Sequence, residues 1–509
     1  MDIYKNINAL VGYALGQGLI EEDDVIYTQN RLLELFALDG FDKTLATQIP
    51  QTPEQDLEQI LNEMLDYAAA KNLFQDTGIQ SRNLYDTKIM GCLLPRPSYV
   101  QQKFMELYNI SPKEASDWFY KFTKDSNYIR RYRVNRDIRW IAKTEYGDMA
   151  ITINLSKPDK GTPGINLSED VLVASRPGVS HYPECVLCKE NVGYAGRDDF
   201  QAGQNLRIIP LRLSGKVWGF QYSPFAYYNE HCVVFSYDHV PMKISRETFG
   251  NLLEFIRLFP HYTIGGNADL PIVGGSILNH SHYQGGRFNF PLSLAPVETR
   301  FTVHGYEDVS AGIVKWPVSV IRLRTHNTES LISLSDKILR NWRIYNDPAV
   351  NIYSQTNGEP HNTVTPIARM RDGFYEIDLV LRNNITTAEY PFGLFHTHEE
   401  HRHIKKENIG IIEVLGLAVL PGHLKKELSD LGNAIIQGRD YRNDRNISKH
   451  ADWADKIIAQ YGKISAKNID SVIKTEVGKV FVEILENSAV FKRTPEGKEA
   501  FMKFIKTFA

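Results

Sequence analysis

Residues 267–284 read NADLPIVGGSILNHSHYQ. The apolar run Pro271 to Leu278 gives way to Asn279-His280-Ser281-His282-Tyr283-Gln284. In an extended chain, residues two apart point to the same side, so this stretch predicts a strand that turns both His280 and His282 toward one site. An imidazole is a good nucleophile toward phosphorus because its neutral form is available at pH 7 and the phosphoimidazolium it forms passes the group onward. Gly274 and Gly275, with Ser276 beside them, let backbone N–H groups come close to a phosphate, and Gln284 can donate an amide hydrogen to a phosphoryl oxygen. The plainer alternative is a pair of histidines satisfied in a β-core or at its rim. The glycines upstream and the glutamine downstream favour the phosphate-handling reading.

All 15 histidines of the chain fall between His181 and His450, which places metal and acid–base chemistry in its middle. A second cluster, Phe395-His396-Thr397-His398-Glu399-Glu400-His401-Arg402-His403, repeats the spacing after Phe392-Gly393-Leu394-Phe395, which reads as another strand. That repetition suggests a duplicated half with one His-x-His in each copy. Upstream, Cys185-Val186-Leu187-Cys188 presents two thiolates at the separation a tetrahedral Zn²⁺ takes, and His239 and His280 are the candidates to complete it. A redox pair is disfavoured because no thioredoxin-like βαβ pattern surrounds the motif, and two unrelated cysteines in a turn remain the bland alternative. With four protein ligands the zinc would be structural.

The flanks read differently. Thr52-Pro53-Glu54-Gln55 is a capping box with proline at the first helical position, followed by Leu57, Ile60, Leu61, Met64, Leu65 and Ala68 on one face. Ser111-Pro112-Lys113-Glu114 repeats the signal before Trp118, Phe119 and Phe122. From about Ala150 short alternating segments take over, and Asp372-Gly373 between two apolar runs is a two-residue hairpin signal. Helical periodicity returns from Leu424 to Ile436, Ala451 to Tyr461 and after Thr494-Pro495-Glu496. The chain is therefore expected to be α+β, with a helical N-terminal extension (1–150), two strand-rich halves (151–300 and 301–425) and a helical C-terminal segment (426–509).

At 509 residues the chain is long enough for several domains or one large composite. Its 58 Lys plus Arg against 61 Asp plus Glu give a formal charge of −3, so no bulk positive field points to nucleic acid or a membrane surface. No stretch reaches eighteen uninterrupted apolar residues, and the N-terminal residues lack the marks of a secretory signal; a soluble cytoplasmic protein is expected. The four cysteines are too few for a disulfide framework. The arginine group Arg130, Arg131, Arg133, Arg136 and Arg139 reads first as a charged surface or ion-pair network and second as a nucleotide-phosphate contact.

The stretch Asn279 to Gln284, taken with Cys185-x-x-Cys188 and Ser236-Tyr237-Asp238-His239, resembles the galactose-1-phosphate uridylyltransferases of the histidine-triad superfamily. The first type of that family carries a His-Pro-His-Gly-Gln core at this place. The longer context from Asn267 and the Phe395–His401 cluster are more similar to the second, bacterial type. The resemblance spans roughly residues 80 to 430. It implies two antiparallel half-barrels with helices, His282 as the nucleophile, Gln284 steadying the uridylyl phosphate, and Cys185, Cys188, His239 and His280 as zinc ligands. It further implies Asn267 near the nucleotide phosphates and Phe225 lining the uridine pocket. His396 and His398 would belong to a second divalent metal site, with His361 as a third ligand. Lys405, with Arg402, His403 and Lys406, is placed toward the sugar phosphate, and Glu413, a lone carboxylate in an apolar stretch, toward the sugar hydroxyls. Ser281 and Tyr283 depart from the proline and glycine of the first type. The implied reaction moves uridylyl from UDP-glucose to galactose 1-phosphate through a covalent uridylyl-histidine. Alternatives are a dinucleotide hydrolase or phosphorylase using the same His282, and a nucleotide-sugar sensor without turnover. The first type builds its sites across a homodimer, whereas the helical extensions here are long enough to cover the same surface.

Overall fold

The computed structural model describes residues 2–156, 182–275 and 277–509. The helix Leu57–Ala70 buries Leu57, Ile60, Leu61, Met64, Leu65 and Ala68, the stripe the periodicity marks out. Its start differs from the expected capping box: a 3-10 turn, Glu54–Asp56, intervenes, and no side chain caps it. The second start signal holds, with the Ser111 hydroxyl accepting from the Lys113 N–H at 3.2 Å at the head of helix Pro112–Asp125. That helix lays Phe119 against Phe220 and Tyr222 of the central sheet, and Tyr222 donates its hydroxyl to the Ser116 carbonyl at 3.0 Å. The N-terminal helices thus share one apolar core with the sheet. Strands begin at Ile138 rather than near Ala150, because Ile138–Thr144 pairs back on Gly147–Ile153.

Among the described residues, ten antiparallel strands form the central sheet. Edge to edge they are Ile209–Leu213, Lys216–Tyr222, Cys232–Ser236, His282–Gly286, Thr263–Gly265, Asn362–Arg371, Phe374–Asn383, Val320–Thr325, Ser310–Val314 and Val297–Phe301. The first five come from residues 209–286 and the second five from 297–383. Each half lays down three strands in sequence, then a helix (Arg246–Leu258 or Thr328–Ile344), then two strands of which the later slots beside the third. The halves join where Ile264 lies opposite Ala368 in antiparallel register, so a local two-fold relates them. The Asp372-Gly373 hairpin forms as expected, both residues at positive φ.

Carrying the register outward from that join gives a correction. Gly265 faces Gln284 and Arg369 faces Glu376, so Gln284 is equivalent to Glu376 and His282 to Phe374. The duplication is present in the topology, but the second His-x-His is not its marker: Phe392–Phe395 is a turn, not a strand, and His396 and His398 follow the last strand of the second half.

A smaller sheet adds Leu417–Leu420 in parallel to Gly147–Ile153, backed by the helix Ile469–Asn487. Val419, Leu420 and Asn154 of this sheet reach the large cavity described below. Within the second half, Asp378 is fully buried and accepts from Arg322 Nε at 2.7 Å, Arg322 Nη2 at 2.9 Å and Arg369 Nη2 at 2.8 Å. Asp378→Ala leaves two buried guanidinium groups with the Glu376 carboxylate alone, and a loss of about 3 kcal/mol is expected, read as an earlier urea midpoint. Each arginine of the 130–139 group finds a carboxylate or amide partner: Arg130 with Asp86, Arg131 with Asp125 and Glu54, Arg133 with Asn83, Arg136 with Glu58 and Arg139 with Asp137. This is the ion-pair reading. No helix among the described residues is long and apolar enough to cross a membrane.

Candidate active site and metal-binding cluster

His282 opens the strand His282–Gly286, held between Cys232–Ser236 and Thr263–Gly265. Its side chain is 4% exposed and lines a cavity of about 650 Å³. Its Nδ1 lies 2.8 Å from the His280 carbonyl, a pure acceptor, so Nδ1 carries the hydrogen and Nε2 keeps the lone pair. Burial pushes this imidazole down to about 4, which leaves it neutral at pH 7. A neutral, oriented imidazole in a pocket of this size is equipped for nucleophilic attack.

Gln284 follows on the same face of the strand. Its Oε1 accepts from His231 Nε2 at 3.1 Å, which turns the amide nitrogen away from His231. His231 is itself buried and driven down to about 4 by desolvation, so it is neutral and can serve as that donor. Stacked on His231 is Tyr227, with ring centroids 5.3 Å apart, and Phe225 stacks on Tyr227 in turn. The three rings form one wall of the cavity. His231 and Tyr227 were not singled out from the sequence; one histidine and one tyrosine in an aromatic loop carry no spacing signal.

The glycines sit where close approach requires them. A Cβ on Gly274 would meet the Ala268 and Leu270 carbonyl oxygens at 2.5 and 2.6 Å, and one on Gly275 would meet the Asn267 amide nitrogen at 2.6 Å. Ser276 lies outside the described residues. Asn267 is buried, lines the cavity, and accepts the Ile411 N–H through Oδ1 at 2.9 Å, which ties the short helix Ile411–Val414 to the first half. That segment brings Lys405 and Glu413 to the cavity, both buried and paired at 3.1 Å. Glu413 also accepts the Gly410 N–H at 3.0 Å, and Lys405 donates to the Val419 carbonyl at 3.1 Å. The cavity therefore has the imidazole of His282 on the sheet and a buried ammonium–carboxylate pair on the facing segment.

His280 turns away from His282 rather than sharing its site, because it lies in a bend just before the strand, where the two-residue alternation does not hold. Its Nε2 donates to the Ser236 carbonyl at 2.8 Å, which leaves the lone pair on Nδ1, and Nδ1 lies 3.1 Å from Cys185 Sγ. Cys188 Sγ is 3.6 Å from Cys185 Sγ and 3.2 Å from His239 Nδ1. All four ligand atoms fall within 4.8 Å of one another, a group that can hold a metal ion. The Cys185 thiol holds Cys188 well below the usual thiol range by hydrogen bonding, with His280 and His239 adding to it, while the same pairing and burial push Cys185 up. Asn191 braces the turn, donating to the Cys185 and Cys188 carbonyls at 2.8 and 2.7 Å.

The expected second metal set is not assembled. Among the described residues only the Cys185, Cys188, His239, His280 group qualifies. His361 is committed to Asn384 at 2.7 Å and Thr356 at 2.5 Å. His398 points Nε2 at the Leu394 carbonyl, 3.0 Å away, and lies tilted against the Tyr390 ring, centroids 4.4 Å apart. His396 is 2% exposed with neither ring nitrogen bonded, and burial, followed by the charges of Arg382, Arg402 and Lys405, pushes it down to about 3. Neither His396 nor His398 lines the cavity.

Two family models match the chain: galactose-1-phosphate uridyl transferase, N-terminal domain, over residues 18–241, and galactose-1-phosphate uridyl transferase, C-terminal domain, over residues 254–455. Curated relatives align end to end. A galactose-1-phosphate uridylyltransferase from Clostridium acetobutylicum is 52% identical over 504 residues, covering 99% of both chains. The protein of that name from Fusobacterium nucleatum is 46% identical, covering 99% of both chains, and that from Bacillus subtilis 43%, covering 99% of this chain and 98% of its own. On these matches, the chain belongs to the galactose-1-phosphate uridylyltransferase family.

Proposed function

We propose that the protein transfers uridylyl reversibly from UDP-glucose to galactose 1-phosphate, with His282 as the covalent carrier. The observation that carries this reading is the tautomer of His282: Nδ1–H on the His280 carbonyl and a free Nε2 lone pair at the wall of the cavity. Nε2 attacks the α-phosphorus, a P–N bond forms, the phosphoanhydride P–O bond breaks, and glucose 1-phosphate leaves with that oxygen. Positive charge then develops on the imidazole and is stabilised by the carbonyl at Nδ1. A phosphate oxygen of galactose 1-phosphate attacks the same phosphorus in the second step, giving UDP-galactose and restoring His282. Two in-line displacements give net retention at phosphorus. One phosphoanhydride replaces another, so the protein's work is positioning and exclusion of water, which the buried site supplies.

Gln284, held by His231, supplies its amide N–H to a phosphoryl oxygen as charge builds there. Gln284→Ala is expected to lower kcat about 10²–10³-fold, measured as the single-turnover rate of uridylylation. The stacked Phe225 and Tyr227 give a wall for the uracil ring. Gly274, Gly275 and Asn267 let backbone and amide donors reach the phosphates, and Lys405 and Glu413 receive the hexose phosphate. Lys405→Met is expected to raise KM for galactose 1-phosphate more than KM for UDP-glucose, in steady-state assays with each substrate varied.

The metal is inferred to be zinc, held by Cys185, Cys188, His239 and His280. Tetrahedral zinc with Zn–S near 2.3 Å and Zn–N near 2.0 Å sets sulfur and nitrogen ligand atoms about 3.5–3.8 Å apart, and the observed separations of 3.1, 3.2, 3.6 and 3.9 Å, with none in the group above 4.8 Å, bracket those values. Four protein ligands leave no position for substrate, so the ion supports structure.

Exchange of radiolabelled glucose 1-phosphate into UDP-glucose without galactose 1-phosphate tests the two-step route. Exchange is expected for the uridylyl carrier. Its absence, or release of UMP to water or inorganic phosphate at a comparable rate, sinks the transferase reading in favour of a hydrolase or phosphorylase.

A further inference from the structure

The two-fold that relates the halves of the sheet carries more than topology. Continuing the register, Val233 faces Gln284 while Arg324 faces Tyr375's neighbour Glu376, making Val233 equivalent to Arg324 and His231 to Arg322. One strand further out, Gln221 and Ser223 correspond to Ser310 and Gly312. Gln221, Ser223, His231, Val233 and Gln284 all line the His282 cavity. Their counterparts Ser310, Gly312, Arg322, Arg324 and Glu376 all line a second cavity, of about 260 Å³, on the other half. The second half thus keeps the pocket of the first with its chemistry replaced: Phe374 stands at the nucleophile position, and arginine replaces histidine and valine.

Arg300, Arg322, Arg324 and Arg371 line this cavity against the single carboxylate of Glu376. Arg322 is spent on Asp378 and on the Ala295 and Leu292 carbonyls, and Arg371 binds Glu376 and the Ser293 carbonyl. Arg324 lies over the Phe374 ring and donates to the exposed Asp372 at 3.0 Å and the Arg371 carbonyl at 3.3 Å, and the exposed Arg300 reaches the Ser310 hydroxyl at 3.1 Å. The Nε atoms of Arg324 and Arg371 are buried with no hydrogen-bond partner among the described residues. Four guanidinium groups against one carboxylate in the lining leave this cavity with an excess of positive charge, which an anion with several acceptor oxygens would balance. The remaining walls are Leu294, Ala295, Pro296, Val297 and Ala311, and among the described residues no aromatic ring lines the cavity for a base to stack on.

We propose that this second cavity is a non-catalytic binding site for a phosphate or a small phosphomonoester, held by Arg300, Arg324 and Arg371. A nucleoside is disfavoured by the walls, and no transfer chemistry is available because phenylalanine replaces the nucleophile.

Equilibrium dialysis of radiolabelled inorganic phosphate against the full chain tests this, with wild type, Arg324→Gln and Ser310→Glu side by side. Ser310 is exposed at the cavity mouth, so the glutamate should place its carboxylate among the arginines without disturbing the core. Wild type is expected to bind one phosphate per chain that Ser310→Glu does not bind, and Arg324→Gln should weaken that site about tenfold or more. KM for UDP-glucose should be unchanged in both variants, which also certifies their fold. Repeating the titration with glucose 1-phosphate separates the sources: tighter binding than phosphate, again lost in Ser310→Glu, identifies a phosphomonoester, and weaker binding identifies free phosphate. Coincident isotherms for the three proteins overturn the proposal.

Discussion

His282→Asn is expected to form no covalent adduct and to lose turnover by about 10⁴-fold or more, the scale seen when a nucleophile is removed from a site whose other groups remain. Wild type mixed briefly with UDP-glucose alone should gain an acid-labile uridylyl increment by intact-protein mass, and galactose 1-phosphate should remove it. The asparagine variant should gain nothing while still binding UDP-glucose, because Phe225, Tyr227, Gln284 and Asn267 are untouched. The choice of asparagine matters. His282 Nδ1 donates to the His280 carbonyl, and the Asn amide can keep a donor near that oxygen while removing the nucleophilic Nε2. A variant that still forms an adduct would move the nucleophile elsewhere in the cavity, and a wild type that binds UDP-glucose without an adduct would leave a sensor. His282→Asn should also leave the thermal midpoint close to wild type, since among the described residues the side chain's one hydrogen bond is to the His280 carbonyl.

The residues that pointed to this site were legible because their spacing is short and their chemistry uncommon. Cys185-x-x-Cys188 occupies one turn and His282-x-Gln284 one strand, so local geometry fixes which of their atoms face where. Spacing alone does not settle their assembly, because His239 comes from beyond the strand Cys232–Ser236 at an interval that only the fold sets. Alternation served Gln284 and His282, which sit on one strand, and failed for His280, which precedes the strand in a bend. The same limit explains the misplaced second half. Repetition of His-x-His suggested duplication, and duplication is there, but its true counterparts are His282 with Phe374 and Gln284 with Glu376, pairs in which the nucleophile and the amide donor are lost. Only hydrogen-bond register reveals them. The arginines from 130 to 139 show the converse: a basic run in sequence becomes a set of separate partnerships once the helices that carry Asp86, Glu58 and Asp125 are packed beside it. The helical stripe at Leu57–Ala68 was legible in full because its burial depends on a period and not on a partner.

Cys185→Ser is expected to empty the metal site and to lower both stability and activity. The cluster joins three separated pieces of chain: the turn Cys185–Cys188, His239 beyond the strand Cys232–Ser236, and His280 just ahead of the strand that carries His282. With the ion bound, the ligand atoms are held by bonds. Without it, Cys188 keeps a charge near two imidazoles and the turn rests on Asn191 and weak sulfur contacts. Closing such long loops is where a metal contributes most to stability, and structural zinc sites commonly bind with about 10–16 kcal/mol of apparent free energy. Plasma mass spectrometry should therefore find about one zinc per wild-type chain and near none in the serine variant. The thermal midpoint should fall in the variant, and chelation of the wild type should reproduce the fall. Activity should drop as well, although none of the four ligand residues lines the cavity, because the carbonyl of His280 is the acceptor that fixes the tautomer and aim of His282. The drop should appear in kcat for uridylylation, with KM for UDP-glucose little changed, since the stacked wall and Asn267 lie on other segments. A wild type purified without metal that is fully active and no more stable when zinc is restored would end the structural-zinc reading and leave Cys185 and Cys188 as a hydrogen-bonded thiol pair.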